Sequence, residues 1–440
     1  MSRVIELLAR LVQVDTVNDP VRGKRVDISK GSQIAEILAE EWGSKPLIIE
    51  RMGFPSLVYV RGSGAPVTLV MAHIDTVPPG PGWDSDPFEL TIKGDRAYGR
   101  GAADDKGNVA AITMALRDYY PENGTIVVAF TSDEEIGGRN GAGYLRDWLR
   151  DNGLWPNYLV NGDGSLSRII NRRRNAFNVV LRVKSEKDVV DGCPESRTYS
   201  AVIREKETMH AAYFTPGVDT HPLIQAAELV RLKEYPVISI HGEWVKSNVI
   251  PHRVTVKLAS DRCSETVEVD IGLTRLLKAL IPLTRPVINT LYYSDYGITA
   301  TPNVYRLVDG WHEVVIDVRA MAEAGQVGRA YEAIAGEVLA GVEYSIEVRG
   351  GGGYLYTSKA SRLVSIASSI NRGLGLPGEP IEAGGASDSR YFSPEGVECI
   401  DYGPLGGNVH GPNEYVYISA LEKTIVFYRR VIEKLHMVGV

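Results

Sequence analysis

The chain has 440 residues, more than one ordinary hydrophobic core accommodates, so we expect two domains. Hydrophobic residues make up 44% and charged residues 23%, which excludes a disordered or fibrous composition. The formal net charge of −7 argues against a nucleic-acid-binding protein, whose affinity depends on clustered cations.

The N-terminal segment and the cysteines favour a cytoplasmic protein. Glu6 and Asp15 interrupt the segment where a secretory signal would be unbroken and apolar. No stretch of about 18 apolar residues occurs, so we expect no membrane-spanning segment. Cys193, Cys263 and Cys399 are far apart and odd in number, which is typical of reduced thiols.

The first third of the chain alternates helix-like and strand-like segments. Apolar residues recur at helical spacing over residues 4–11 and 34–42, and residues 108–119 also have a helical pattern. The predicted strands are short apolar runs at residues 56–61, 67–71, 125–130 and 158–160. Fully apolar strands that alternate with helices indicate a mixed, largely parallel sheet covered on both faces.

From about residue 171 to 319 the strand-like runs become longer and polar at alternate positions. The predicted elements of this region are strands at 177–184, 254–258 and 312–317 and helices at 222–233 and 273–280. Helices and strands then alternate again, at 327–339, 361–374, 397–402 and 418–435. We therefore predict an α/β domain in two segments, 1–171 and 321–440, interrupted by an inserted α+β domain at 172–320.

The strongest local feature is His73, which directly follows an apolar strand. Side chains at the C-terminal end of a sheet strand lie where α/β proteins usually bind ligands. In an extended segment His73 and Asp75 point the same way, so Asp75 can accept one ring N–H while the other nitrogen binds a metal. On this segment alone, an ordinary strand-end histidine satisfied by a carboxylate is an equal alternative.

Two acidic clusters follow along the chain. Asp104 precedes a predicted helix and is the better candidate for a ligand, because a carboxylate can bridge two divalent ions. For Asp105, a cap at the N-terminus of that helix is a strong alternative. Asp133, Glu134 and Glu135 follow an apolar strand, where three consecutive carboxylates repel one another unless a cation neutralises them. A solvated acidic loop is the alternative interpretation of this charge run.

Asp163 and His410 are the last two candidate metal ligands along the chain. Asp163 belongs to an Asp-Gly pair that is also typical of a simple turn, and His410 lies near the C-terminus. Each feature has an ordinary structural explanation alone. Together, two histidines and three carboxylates suit two divalent ions, with zinc preferred over cobalt or manganese.

These segments, in this order, resemble the acetylornithine deacetylase and succinyl-diaminopimelate desuccinylase family of metallohydrolases, which also includes carboxypeptidases, aminoacylases and dipeptidases. The similar segments span nearly the whole chain: His73-x-Asp75-x-x-Pro78, Trp83…Asp86-Pro87-Phe88, Gly99-Arg100-Gly101…Asp104-x-Lys106-Gly107, Asp133-Glu134-Glu135-x-Gly137 and His410. The resemblance implies a zinc-exopeptidase-like catalytic domain, interrupted by a lid and dimerisation domain.

The resemblance also implies a role for each residue of the centre. The metal ligands would be His73 and Asp163 for one ion, Glu135 and His410 for the other, and Asp104 as the bridge between them. Asp75 would orient His73. Glu134 would be the general base that takes a proton from the attacking water.

A histidine of the inserted domain, commonly from a partner subunit, would help to bind the oxyanion. The segment Met209-His210-Ala211-Ala212-Tyr213 matches the family here and makes His210 our choice. His221 is the alternative, because the two residues after Tyr213 depart from the family's usual Pro-His. His221 also stands beside Pro222, where a position at a helix N-terminus would explain it structurally.

Substrate contacts are implied by the same resemblance. We expect Arg319 and Arg174 to face the substrate, Ser387 to donate from a glycine-rich loop, and Asn303 (or Asn248) to lie on the oxyanion side. A solvated hinge is the alternative explanation of the arginine triplet that contains Arg174.

The sequence thus predicts a metal-dependent amidohydrolase that removes the acyl group from an N-acyl amino acid. A dipeptidase or carboxypeptidase of the same family is the nearest alternative, and a non-catalytic metal-binding homologue is a remote one. The expected partners are a small N-acyl amino acid or short peptide and a second copy of the chain, bound through the inserted domain, without nucleic acid or membrane.

Overall fold

The computed structural model describes residues 2–437 except 21, 204–208, 210, 212–213 and 289–296. The chain divides into two compact units. Unit 1 comprises Met1–Arg173 and Tyr354–Val440, and unit 2 comprises Arg174–Gly353.

Helices and strands are numbered in chain order through both units, so the numbers within unit 1 are not consecutive. Its helices are α1 (Arg3–Gln13), α2 (Ile28–Trp42), α3 (Lys106–Leu116), α4 (Ala142–Asp151), α8 (Arg362–Gly373) and α9 (Ile418–His436). Its strands are β1 (Leu47–Arg51), β2 (Phe54–Ser63), β3 (Val67–His73), β4 (Thr91–Lys93), β5 (Arg96–Tyr98), β6 (Gly124–Thr131), β7 (Tyr158–Asn161), β8 (Ile170–Arg173), β18 (Leu355–Tyr356), β19 (Ile381–Ala383), β20 (Glu398–Asp401), β21 (Gly406–Gly407) and β22 (Tyr415–Tyr417).

The main sheet of unit 1 is mixed, as the sequence predicts. Its strand order is β1-β2-β6-β3-β7-β20-β8-β18, and β19 pairs with β8. The central strands β6, β3, β7 and β20 run parallel, whereas antiparallel pairs flank them. Every residue of β3 and β6 is buried, because apolar cores cover both faces of the sheet.

The parallel register brings the C-terminal ends of these central strands together. His73 pairs with Thr131, and Asn161 pairs with both Met71 and Asp401. The polar segments that follow these strands therefore start from one edge of the sheet. A smaller sheet, β21-β22-β5-β4, carries the loop between β21 and β22 and the segment that follows β5.

Unit 2 contains helices and antiparallel sheets, as predicted. Its elements are β9 (Asn175–Lys184), β10 (Lys187–Asp191), β11 (Cys193–Ser200), α5 (Pro222–Lys233), β12 (Val237–Gly242), β13 (Arg253–Ser260), β14 (Thr266–Asp270), α6 (Ile271–Leu283), β15 (Thr299–Val308), β16 (Trp311–Ala320), α7 (Ala324–Val338) and β17 (Tyr344–Gly350). They form one five-stranded and one four-stranded sheet, ordered β10-β14-β12-β13-β11 and β15-β16-β9-β17.

The end of unit 2 differs from the predicted boundary at residue 320. Helix α7 and strand β17 belong to unit 2, where Val327, Tyr331 and Ala335 of α7 join the apolar core. Strand β17 pairs with β9. The renewed alternation of helix and strand after residue 320 could not reveal which unit these elements pack against.

Two of the cysteines also differ from the prediction. Cys193 and Cys263 form a disulfide across 70 residues of sequence, with their Cα atoms 5.1 Å apart. The prediction of reduced thiols is therefore wrong for this pair, and the cytoplasmic location loses that support. Cys399 is buried and free. None of the described helices is long and apolar enough to cross a membrane.

Candidate metal centre

His73 ends strand β3, and its ring faces other site residues. The side chain is 2% exposed. Nδ1 lies 3.0 Å from the carbonyl oxygen of Asp75 and 3.4 Å from its carboxylate. Nε2 lies 2.9 Å from Oδ1 of Asp104. The contacts at Nδ1 fix the ring, so Nε2 is the nitrogen presented to the centre.

Asp75 also organises the turn that follows β6. Its fully buried carboxylate accepts hydrogen bonds from the backbone N–H groups of Glu134 and Glu135, at 3.2 and 3.1 Å. Nδ2 of Asn18 donates to the same carboxylate at 2.8 Å. Asp75 therefore connects the strand end that carries His73 to the turn that carries the two glutamates.

Asp104 stands between the two histidines. Oδ1 faces Nε2 of His73, whereas Oδ2 lies 3.1 Å from Nε2 of His410. The same nitrogen of His410 lies 3.1 Å from Oε2 of Glu135. A carboxylate with one oxygen directed to each side has the geometry that a bridging ligand requires.

The five predicted ligands, together with the predicted base Glu134, form two groups that could each hold a metal ion. One consists of His73, Glu134 and Asp163, and the other of Asp104, Glu135 and His410. Within each group, one nitrogen or oxygen from every residue lies within 4.8 Å of the others. Glu134, expected to act as the base, is thus within ligand distance of the first group.

Carboxylates outnumber imidazoles in this centre. Burial raises the pKa of Glu134, Glu135 and Asp163 above their ordinary values, that of Glu135 to about 7. Burial would also raise the pKa of Asp104, but hydrogen bonds from His410 and His73 outweigh it and lower that pKa. Four carboxylates and two histidines leave excess negative charge that a cation would neutralise.

The pKa values of the two histidines are also raised, because carboxylates stabilise their charged form. Hydrogen bonds to Asp104 and Glu135 raise the pKa of His410 to about 10. Burial would lower the pKa of His73, but its contacts with Asp104 and Asp75 outweigh that effect and raise it.

The donor set fits divalent metal ions. Oε1 of Glu135 is buried without a hydrogen-bond partner among the described residues, so this oxygen has capacity for a ligand bond. Imidazole nitrogens and carboxylate oxygens are the donors that zinc binds in catalytic sites. The residues present therefore fit the group that the sequence predicts.

Two neighbouring acidic residues have structural partners instead. Asp133 accepts hydrogen bonds from the backbone N–H groups of Asn140 and Gly141, at 2.7 and 2.8 Å. Asp105 occupies the N-cap position of α3 without a capping hydrogen bond from its side chain. Its carboxylate instead accepts hydrogen bonds from Nδ2 of Asn108 and from the N–H of His73.

Arg173 and Asp401 are site residues that sequence reasoning missed. Nε of Arg173 donates to Oδ2 of Asp401 at 2.5 Å, and its Nη2 donates to the carbonyl oxygen of Asp163 at 2.5 Å. The guanidinium also lies 3.6 Å from the carboxylate of Asp163. Asp401 additionally accepts from Oγ of Ser389 at 2.5 Å. An Arg-Asp pair so far apart in sequence leaves no local signal.

Ser387, the predicted substrate donor of unit 1, is buried. Its side chain is 1% exposed, and its Oγ has no hydrogen-bond partner among the described residues. The next residue begins a short 3₁₀ helix, Asp388–Tyr391.

The remaining predicted residues belong to unit 2. Arg319 donates through Nε and Nη2 to Asp317, at 2.8 and 2.9 Å. Asn303 presents Oδ1 to Nε2 of His221 at 3.0 Å. Nη1 of Arg174 donates to Oγ1 of Thr299 at 3.3 Å.

Of the two histidines predicted to bind the oxyanion, the structure describes only His221. His221 is 2% exposed at the N-cap of α5, and burial lowers its pKa to about 4. It is therefore neutral at physiological pH. His210 lies outside the described residues. The alternative amide, Asn248, accepts the N–H of Ala211 through its backbone oxygen at 2.9 Å.

Comparison with known proteins identifies the family. The sequence profile of peptidase family M20/M25/M40 matches residues 69–434, which is most of the chain. The chain therefore belongs to this family, and it is a hydrolase that acts on amide or peptide bonds.

Similar proteins cover nearly the full length. The succinyl-diaminopimelate desuccinylase of Xylella fastidiosa (strain M23) is 24% identical over an alignment of 447 positions, which covers 99% of each chain. That of Bordetella parapertussis is 28% identical over 398 residues, 88% of each. Among solved structures, the aminoacylhistidine dipeptidase of Vibrio alginolyticus has a TM-score of 0.72 at 15% identity, covering 98% of this chain and 96% of that one. This structural similarity concerns the fold.

Proposed function

We propose that this protein is a metal-dependent deacylase that removes the acyl group from an N-acyl amino acid. The position of Asp104 carries the proposal, because its two oxygens face the metal-binding nitrogens of His73 and His410. We assign His73 and Asp163 to one zinc-type ion, Glu135 and His410 to the other, and Asp104 to both.

The metal pair would supply a water whose pKa is lowered from 15.7 towards roughly 7 and would polarise the scissile carbonyl. Glu134 accepts a proton from the attacking water while the oxygen of that water bonds to the carbonyl carbon of the substrate. Glu134 then gives the proton to the leaving nitrogen as the C–N bond breaks. Its raised pKa suits both steps, because a general base must also become a competent acid.

We further propose that unit 2 is the lid and dimerisation domain. His210 would bind the oxyanion, with His221 as the alternative, and Arg174, Arg319 and Asn303 would contact the substrate together with Ser387. The hydrogen bonds of Arg319 to Asp317 hold its guanidinium in one orientation.

Two groups of relatives suggest different substrates. Desuccinylases of nearly the same length support an N-succinyl or other N-acyl amino acid. The dipeptidase with a similar fold supports a short peptide as the alternative. A cytoplasmic location stays a prediction, against which the Cys193–Cys263 disulfide weighs.

A substrate panel tests the proposal. The purified chain, supplied with zinc or cobalt, is assayed with N-acetyl amino acids, N-succinyl amino acids and dipeptides. We expect the highest kcat/KM for an N-acyl amino acid and loss of hydrolysis after chelation. A preference for dipeptides would establish the alternative, and failure of every amide with metal bound would refute both.

A further inference from the structure

A second buried carboxylate, Glu414, holds the loop that carries Asp104. We call residues 99–105 the aspartate loop. Oε1 of Glu414 accepts the backbone N–H groups of Ala103 and Asp104, at 2.9 and 3.0 Å. Oε2 accepts the N–H of Gly101 at 3.1 Å. Glu414 is fully buried. Its carboxylate therefore determines where the backbone of Asp104 lies.

Arg100 completes this arrangement from within the aspartate loop. Its guanidinium, 1% exposed, donates through Nη1 to Oε2 of Glu414 at 2.5 Å. Nη2 donates to the carbonyl oxygens of Gly411 and Pro79, at 3.0 and 3.3 Å. Gly411 follows His410 in what we call the histidine loop, residues 408–414. Pro79 lies in the segment that continues from His73.

The indole of Trp83 covers the guanidinium from one side. Its ring centre lies 5.3 Å from the central carbon of Arg100, and its Nε1 donates to the carbonyl oxygen of Pro79 at 2.8 Å. The ion pair is therefore enclosed, and each of the three segments that it touches leads to a residue of the metal centre.

We propose that Arg100 and Glu414 are positioning residues for metal binding: together they hold the aspartate loop and the histidine loop so that Asp104 and His410 meet at one ion. Neither residue belongs to the two groups that could hold a metal ion. They act through the backbone of the residues that do. This inference rests on the proposed function, because it takes Asp104, Glu135 and His410 to bind metal.

A carboxylate is required at position 414. Four donors approach its two oxygens, two at each. A glutamine offers one acceptor oxygen and a donor NH₂ group. In Glu414→Gln, either Arg100 and the N–H of Gly101 or the N–H groups of Ala103 and Asp104 would face another donor. The substitution keeps the shape of the side chain and removes half of the acceptors.

The test measures zinc binding to the full chain. Glu414→Gln and Arg100→Lys are stripped with a chelator and titrated with Zn²⁺ by calorimetry, beside the parent protein. Loss of a residue that hydrogen-bonds to a metal ligand typically weakens metal binding about 10–100-fold. We expect a loss of that size for Glu414→Gln. Arg100→Lys keeps the charge but loses the contacts of Nη2, so we expect a smaller loss.

The control is Glu313→Gln in unit 2. Glu313 is 2% exposed and accepts hydrogen bonds from Nε of Arg182 and Nε of Arg306, at 2.7 and 2.5 Å. It is thus also a buried glutamate paired with arginine, in the other unit. We expect this variant to lose folding stability but to bind zinc as the parent does.

Rescue by metal separates positioning from folding. If Glu414 positions the ligands, a variant that is folded without zinc loses hydrolysis at limiting zinc and regains it when zinc is raised. Raised zinc also stabilises a weakened fold, so a variant that is unfolded without zinc has a folding defect instead. If Glu414→Gln does not fold, Arg100→Lys decides the question. Parent-like zinc affinity in the folded variants would overturn this inference alone. A parent protein that binds no zinc would instead refute the proposed function.

Discussion

Asp104 in unit 1 and Asp270 in unit 2 both contact histidine, yet their surroundings differ. Asp270 lies 2.9 Å from Nε2 of His312, accepts Oγ of Ser185 at 2.6 Å and caps α6 through the N–H of Leu273 at 3.0 Å. Burial would raise the pKa of Asp270, but the contact with His312 and the hydrogen bond from Ser185 outweigh that effect and lower it. Its charge is therefore satisfied by donors within unit 2.

Asp104 has histidine on both sides but further carboxylates beyond them. Glu134, Glu135 and Asp163 have raised pKa values, so the neighbourhood lacks donors for the charges that it holds. The difference explains why a metal ion would bind beside Asp104 and not beside Asp270, since only Asp104 lies among an excess of acceptors. The following experiments test that difference, beginning with the largest expected effect.

Asp104→Asn should abolish both metal binding and amide hydrolysis. The amide keeps the shape of the side chain but replaces one oxygen with a donor that faces a histidine nitrogen. Metal content after dialysis and hydrolysis of the best substrate are the measurements. Full zinc occupancy in this variant would contradict the role of Asp104 as a bridge.

Glu134→Gln should retain both metals and lose catalysis. Removal of a general base lowers kcat by about 10²–10⁴-fold, and the amide cannot carry the proton. Metal analysis and steady-state kinetics separate the two effects. If zinc is lost along with activity, then Glu134 is a ligand of the His73 and Asp163 group, within which it also lies.

Asp270→Asn should lower stability without changing the metal content. Asparagine would leave at least one of the buried donors around position 270 without an acceptor, which costs about 1–3 kcal/mol in free energy of unfolding. Urea denaturation of this variant and of the parent gives the difference. If Asp270→Asn lost zinc, the claim that only Asp104 contributes to metal binding would be wrong.

The metal-free protein should lose stability as the pH rises. Burial raises the pKa of Glu135 from 4.5 to about 7 and that of Asp105 from 3.8 to about 8. Folded protein therefore holds these protons longer than unfolded protein, and the stabilisation present at low pH disappears as the pH passes the folded pKa values. Thermal melts with chelator or zinc, near pH 5 and near pH 8, should show the largest zinc effect at the higher pH. If zinc raised the melting temperature equally at the two pH values, the predicted pH dependence would be wrong.

Much of the fold could be predicted from local pattern. The apolar runs that became β3 and β6 are buried at every position, and the predicted helices after residue 221 and after residue 417 formed. Patterns of this kind report burial within one element. They do not report packing partners, which is why the end of unit 2 was predicted at residue 320 and the Cys193–Cys263 disulfide was not predicted.

The sequence by itself indicated the donor groups of the candidate centre. His73, Glu135 and Asp163 follow parallel strands, whose C-terminal ends lie at one edge of the main sheet. Asp104 and His410 instead follow strands of the smaller sheet. Tertiary structure alone decided what holds them there. Arg173 meets Asp401 across 228 residues, and Arg100 meets Glu414 across 314. No periodicity marks such pairs, since each partner resembles an ordinary surface charge until folding buries both.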